Sequence, residues 1–291
     1  MTLPPNIVLL TAPNAGPFTG NGTNTYVVGD RALAVIDPGP DDPAHMLAIL
    51  AAASGRPITH ILATHAHRDH VDGVSALQNA TGALTAGFAR AARPPESAST
   101  AADSPSGGDF IDWGFKPEIA LADGAVFHAG DVQFEAVHTP GHAPDHHCFA
   151  LTAHPHILFS GDHVMGWSTS VIAPPEGNMG DYLRSLERLL VRPQTLYLPG
   201  HGAAIPAGAR TARAYLLHRR MRERSVLDAI AAGALTVPAI ADIVYAGIAP
   251  NLLNAARLSI AAHLELLAQK RLISYDASLR RAERIVVERP A

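Results

Sequence analysis

Four side chains able to bind a metal cation fall within six residues of one another in Thr64-His65-Ala66-His67-Arg68-Asp69-His70. Residues 58–63 before them read as an apolar strand and residues 71–79 after them have helical spacing, so the cluster lies at a strand's end. In an extended segment His65 and His67 point to the same side and can reach one cation. Asp69 and His70 then turn with the backbone and can face a second position. Imidazole with carboxylate suits zinc, and iron and manganese accept the same donors. Two cations need further ligands, and three later β-like runs each pass through a glycine to one. These are His142 in Thr139-Pro140-Gly141-His142, Asp162 in Ser160-Gly161-Asp162, and His201 in Leu198-Pro199-Gly200-His201-Gly202. Glycine permits the sharp exit that exposes a ligand at the end of a rigid strand.

The elements that must position these groups alternate along the chain. Strand-like runs at 7–10, 24–28, 32–36, 58–63 and 84–88 are interleaved with helical spacing at 44–53 and 71–79. A second set of strands follows at 125–128, 132–138, 148–151, 157–160 and 195–198, with a helix at 182–190. Strands and helices mixed on this scale predict an α/β layered domain over 1–206. Residues 89–110, rich in Ala, Pro, Ser and Gly, read as a long loop or lid. From 207 to 291 the composition becomes Arg-rich and helical, at 211–231, 238–245 and 252–270. Two β-like runs, 272–275 and 284–287 around a turn at Asp276, complete a small winged-helix-like domain.

Composition narrows the function classes. With 291 residues, 47% hydrophobic and 16% charged, the chain has ample material for a core, which excludes wholesale disorder. The single cysteine, Cys148, excludes an internal disulfide framework, fits a reducing compartment, and reads as a buried strand residue. Neither a membrane span nor a secretory leader is visible, so the expected location is cytoplasmic. Residues 1–205 carry nine basic and nineteen acidic side chains, whereas 206–291 carry thirteen and seven. A basic tail on an acidic body points to an anionic partner, with Arg219 and Arg222, and Arg220 and Arg224, paired by helical spacing as candidate phosphate contacts. Helical units of this kind also pack, so a homodimer is a further expectation.

The ordered motifs from Asp37-Pro38-Gly39 to His201 resemble the metallo-β-lactamase fold superfamily. That resemblance implies an αββα sandwich with two zinc ions per chain. His65, His67 and His142 would hold one, Asp69, His70 and His201 the other, and Asp162 would bridge them. It also implies a metal-bridging hydroxide as nucleophile, with Asp69 and Asp162 as catalytic carboxylates. Asp37, His146 and His163 are candidates for orienting a ligand or touching substrate. The other histidines, among them His45, His147 and His263, are expected to be surface or packing residues. A bridging Asp162, rather than a cysteine, resembles the glyoxalase II, lactonase and nuclease branches more than the antibiotic-hydrolysing enzymes. The persulfide dioxygenases share the H-x-H-x-D-H segment and remain a minor alternative, as does a winged-helix nucleic-acid sensor.

The stretch Phe159-Ser160-Gly161-Asp162-His163-Val164-Met165-Gly166, Asp181-Tyr182-Leu183-Arg184-Ser185-Leu186 and the helix His218-Arg219-Arg220-Met221-Arg222-Glu223 are similar to the β-lactamase-like-protein-2 group. This implies an endoribonuclease acting on single-stranded RNA, with a glyoxalase II-like thioester hydrolase or a lactonase as the alternative. The chain departs from that group at 89–118, where it is longer.

Overall fold

Eleven strands form two sheets among residues 3–4, 6–89 and 110–275, which the computed structural model describes. In the first sheet β1 (Ile7–Thr11), β2 (Asn24–Val28), β3 (Leu33–Ile36), β4 (Ile58–Leu62), β5 (Leu84–Gly87) and β6 (Ile119–Ala120) lie side by side in chain order. In the second, β7 (Val126–Ala129), β8 (Val132–His138), β9 (His147–Leu151), β10 (Ile157–Gly161) and β11 (Leu196–Pro199) are ordered β11-β10-β9-β8-β7.

Burial with a period of two stacks these sheets. Every residue of β2, β3, β9 and β10 is buried, as expected of strands covered on both faces. Tyr26, Val28, Ala34, Ile36, Phe149 and Phe159 face the space between the sheets. Their neighbours Val27, Leu33 and Val35 face outward, under α1 (Pro43–Ala53) and α3 (Val74–Thr81). On the other side Cys148, Ala150 and Leu158 pack beneath α4 (Met179–Leu190) and α5 (Gly208–Ala231). The result is the expected αββα sandwich.

Local chemistry starts the helices. Asp42 accepts the His45 N–H ahead of Pro43 at the first turn of α1, and Asn178 accepts the Asp181 N–H at α4. Thr236 accepts the Ala239 N–H to begin α6 (Val237–Val244). The second half of α5, α6 and α7 (Leu253–Gln269) enclose their own core of Val226, Ile230, Ile240, Ile260, Leu264 and Leu267. Helical spacing at 71–79 resolves into two pieces, α2 (Arg68–Val71) and α3, separated at Gly73. None of the described helices is long and apolar enough to cross a membrane.

One expected strand is absent. Residues 272–275 form no strand, because they finish α7 instead: Arg271 adopts φ 58° and the Leu272 N–H returns to the Leu267 carbonyl at 3.0 Å. Ile273 then packs on the helical core. The 284–287 run, the Asp276 turn and all but the ends of the 89–110 stretch lie outside the described residues.

Strand direction explains where a site can form. β3, β4 and β5 are mutually parallel. β8 and β10 are each antiparallel to β9, and β11 is parallel to β10. Asp37 follows β3, Thr64-His65 follow β4, His142 follows β8, Asp162 follows β10 and His201 follows β11, and these five strand ends meet at one edge of the sandwich.

Candidate metal centre

All seven expected ligands converge. His65 Nε2 lies 2.9 Å from His67 Nδ1, and His142 Nε2 lies 3.0 Å from the same atom. Asp69 Oδ2 lies 3.4 Å from His70 Nε2 and 3.2 Å from His201 Nε2. Asp162 stands between the two groups, 3.6 Å from His142 Nε2, 3.3 Å from His201 Nε2 and 3.5 Å from His70 Nε2. Three overlapping sets of donor atoms, His65/His67/His142, His65/His70/Asp162 and Asp69/His70/His201, each fall within 4.8 Å.

Hydrogen bonding at the far side of each ring settles which nitrogen faces the centre. His142 Nδ1 donates to the Val171 carbonyl at 2.7 Å and His201 Nδ1 to the Gly22 carbonyl at 3.2 Å. His70 Nδ1 donates to Asp37 Oδ2 at 2.9 Å. The Thr64 hydroxyl gives its only proton to Asp37 Oδ2 at 2.8 Å, so at 3.0 Å it must accept from His65 Nδ1. Each of these four rings therefore turns Nε2 inward, the arrangement that outer hydrogen-bond partners impose on metal-binding imidazole.

The electrostatics ask for positive charge. Burial, then the neighbouring imidazoles, holds His65 and His67 well below the usual imidazole range. Burial also opposes a charged His201, but the Asp162 and Asp69 carboxylates outweigh it and raise its pKa to about 10. His70 Nε2 and Asp162 Oδ1 are buried without a hydrogen-bond partner. Converging ring nitrogens beside two carboxylates, which already draw a proton onto His201, fit divalent cations held by nitrogen and oxygen.

Asp37 occupies the orienting position expected of it, at φ 50° with its carboxylate also accepting the Thr64 N–H at 2.8 Å. His146 is buried behind the centre, where its Nε2 accepts the Asp162 N–H at 3.1 Å and its Nδ1 meets the Thr139 hydroxyl at 2.8 Å. His163 is also buried, its ring against Tyr182 at 4.7 Å. Neither lines the cavity that opens on the centre.

That cavity has a volume of about 430 Å³, and Pro17, Phe18, Phe110, Met165, Val171 and Ala173 give it apolar walls above His67, Asp69, His142, Asp162 and His201. Two threonines belong to the site that the sequence does not single out: Thr23, whose hydroxyl donates to Asp69 Oδ2 at 3.1 Å, and Thr64. Thr64 carries a signal, its place between the strand and the first histidine; Thr23 carries none.

Of the candidate phosphate contacts on α5, Arg219 and Arg222 are engaged within the protein, whereas Arg220 and Arg224 are exposed in surface ion pairs. Arg219 is buried and donates to the Ser170 carbonyl, so it faces no groove. Arg220 pairs with Glu187 at 2.6 Å, Arg222 donates to the Val244 carbonyl at 2.5 Å, and Arg224 lies 3.4 Å from Asp228.

Comparison with known proteins agrees with this geometry. Residues 18–201 match the model of the metallo-beta-lactamase superfamily, and residues 236–282 match that of the beta-lactamase associated winged helix domain. The chain belongs to the metallo-beta-lactamase superfamily, whose members are generally hydrolases. It is 30% identical to the lactamase-like protein adaB of Aspergillus niger over 287 residues, covering 93% of this chain and 82% of that relative. It is 32% identical to the atrochrysone carboxyl ACP thioesterase AgnL7 of Paecilomyces divaricatus over 253 residues, covering 83% and 72%. The crystal structure of a metallo-beta-lactamase family protein from Thermus thermophilus has the same fold, with a TM-score of 0.79 at 20% identity over 99% of this chain and all of that one.

Proposed function

We propose that this chain is a metal-dependent thioester hydrolase acting on a substrate with a bulky apolar acyl group. The observation that carries the reading is the apolar cavity standing directly on the histidine and aspartate cluster. RNA would need a positive groove with stacking groups, whereas Arg219 and Arg222 are turned onto backbone carbonyls within the protein and only Arg220 and Arg224 stand exposed, in pairs with Glu187 and Asp228. Similarity to a relative named as an acyl-carrier-protein thioesterase supports the same substrate class.

His65, His67 and His142 would hold one cation and Asp69, His70 and His201 a second, with Asp162 shared. Zinc is the ion we assign to this donor set. When bound, such cations supply Lewis acidity toward a carbonyl oxygen and make water acidic enough to ionise near neutral pH. The protein's own groups do the rest. Phe18, Phe110 and Met165 shed water from the acyl group and hold its carbonyl at the cavity floor. Asp69 and Asp162 present carboxylate oxygens to the same space, where they orient the attacking water and take its proton. A thiolate leaves readily, its conjugate acid having a pKa of about 8.5, so the reaction requires no acid on the leaving-group side.

A substrate panel tests the proposal. Zinc-loaded protein would be given aromatic and aliphatic acyl thioesters, acyl lactones, a cephalosporin and single-stranded RNA, beside an Asp162→Ala control. Preferential thioester cleavage, lost in the control, is the expected result. Cleavage of RNA with thioesters untouched would overturn it.

A further inference from the structure

The loop that follows Asp162 is held by the long helix packed over the second sheet. Tyr215 and Arg219, both on α5, reach back to it. The Tyr215 hydroxyl lies 2.8 Å from the carbonyls of both Met165 and Ser168. The Arg219 guanidinium, 3% exposed, donates through Nη2 to the Ser170 carbonyl and through Nη1 to the Ser259 hydroxyl at 3.3 Å. Tyr245, at the end of α6, donates to Ser259 at 3.0 Å, so α5, α6 and α7 all bear on one guanidinium.

Ser170 is where this network meets the centre. Its own hydroxyl donates back to the Asp162 carbonyl. The next residue, Val171, supplies the carbonyl that orients His142. Two candidate ligands from different strands, Asp162 through its backbone carbonyl and His142 through its ring, thus depend on the Ser170–Val171 pair, whose outer face Arg219 holds. A buried guanidinium in that place has a clear physical use: its planar donors set two acceptors in fixed relation, where an aliphatic side chain would leave the Ser170 carbonyl buried without a partner.

We infer that Arg219 is a positioning residue for the metal centre, through which the C-terminal helices set Asp162 and His142. The inference rests on the metal reading above and is independent of which substrate is cleaved. It makes the helical domain a structural part of the site.

The test uses cobalt(II) as the probe, added to metal-free full-length protein. Binding is read by competition against a chelator and by the visible d–d bands, which report ligand geometry directly, and folding is followed by thermal unfolding of the metal-free forms. Arg219→Met is expected to weaken cobalt binding about tenfold, the low end of what outer hydrogen-bond partners contribute, and to shift the bands. Arg219→Lys should recover part of the loss, and Arg220→Ala, which removes only an exposed pair with Glu187, should match the parent. Should Arg219→Met not fold, Ser259→Ala reads the same quantity, because it frees one end of the guanidinium while keeping the Ser170 contact; a band shift in that folded variant supports the role. A folded Arg219→Met protein with the parent's affinity and bands would overturn it, as would a parent-like Ser259→Ala where Arg219→Met does not fold. A parent chain that takes up no cobalt would overturn the metal reading itself.

Discussion

Asp37 Oδ2 accepts from His70 Nδ1 at 2.9 Å, joining the end of β3 to the metal-facing helix turn with both side chains buried. Asp37→Asn keeps the side chain's size, and asparagine tolerates the left-handed backbone found there. The negative charge behind His70 is lost. Metal affinity should fall roughly ten- to hundredfold with the fold retained. Chelator competition on the purified variant measures this, and an unchanged affinity would show that the contact orients nothing.

Gly200 sits against the centre so closely that a Cβ would lie 2.5 Å from Asp162 Oδ1 and 2.8 Å from His70 Cε1. Gly200→Ala therefore displaces two ligands at once. Overpacking of this kind costs about 1–3 kcal/mol of stability, which a domain of this size survives. Metal content by elemental analysis should drop sharply while urea unfolding stays cooperative. Full metal occupancy would mean the loop moves aside.

His263 on α7 has neither ring nitrogen hydrogen-bonded, and burial, then Arg219, pushes its pKa down to about 3. The unfolded chain takes up this proton near pH 6.5, whereas the native chain resists it until about pH 3. The neutral ring's contribution is complete above pH 6.5 and is lost progressively as pH falls toward 3. Between pH 7 and 5 that one group should remove about 2 kcal/mol. In His263→Phe the unfolding free energy should fall by that much less over the same range. Parallel pH curves for the two proteins would contradict the prediction.

Cys148 on β9 is wholly buried, and burial pushes its thiol up to about 12, with the Thr139 hydroxyl 3.3 Å away. Native protein should react with a thiol-specific disulfide reagent on the order of a thousandfold more slowly than protein unfolded in urea. Rapid labelling of the native form would place the thiol in an open strand.

Much of the centre is legible in the sequence because its ligands announce themselves chemically. His65, His67, Asp69 and His70 are clustered, and His142, Asp162 and His201 each follow a strand and a glycine. The acceptors behind them are not legible, since the carbonyls of Gly22 and Val171 could be supplied by any residue. Arg219 misleads for a related reason. Charge and helical spacing describe α5 by itself, but which face is covered depends on where Ser170 and Ser259 arrive from distant parts of the chain. β6, two residues long, carries no pattern at all, and the 272–275 run mimics a strand because its apolar residues cap and cover α7.

The contact between His201 Nδ1 and the Gly22 carbonyl spans 179 residues, and Asn24 Nδ2 donates to the Pro199 and Gly202 carbonyls over nearly the same separation. During synthesis at about 5–20 residues per second, the first of these partners waits roughly 10 to 35 s for the second. Throughout that interval β1 and β2 exist without the loop that completes their edge, and no arrangement of the emerged chain contains all seven ligands. The candidate ligand set is therefore complete only when His201 is added, with the 90 residues that follow it still to be made.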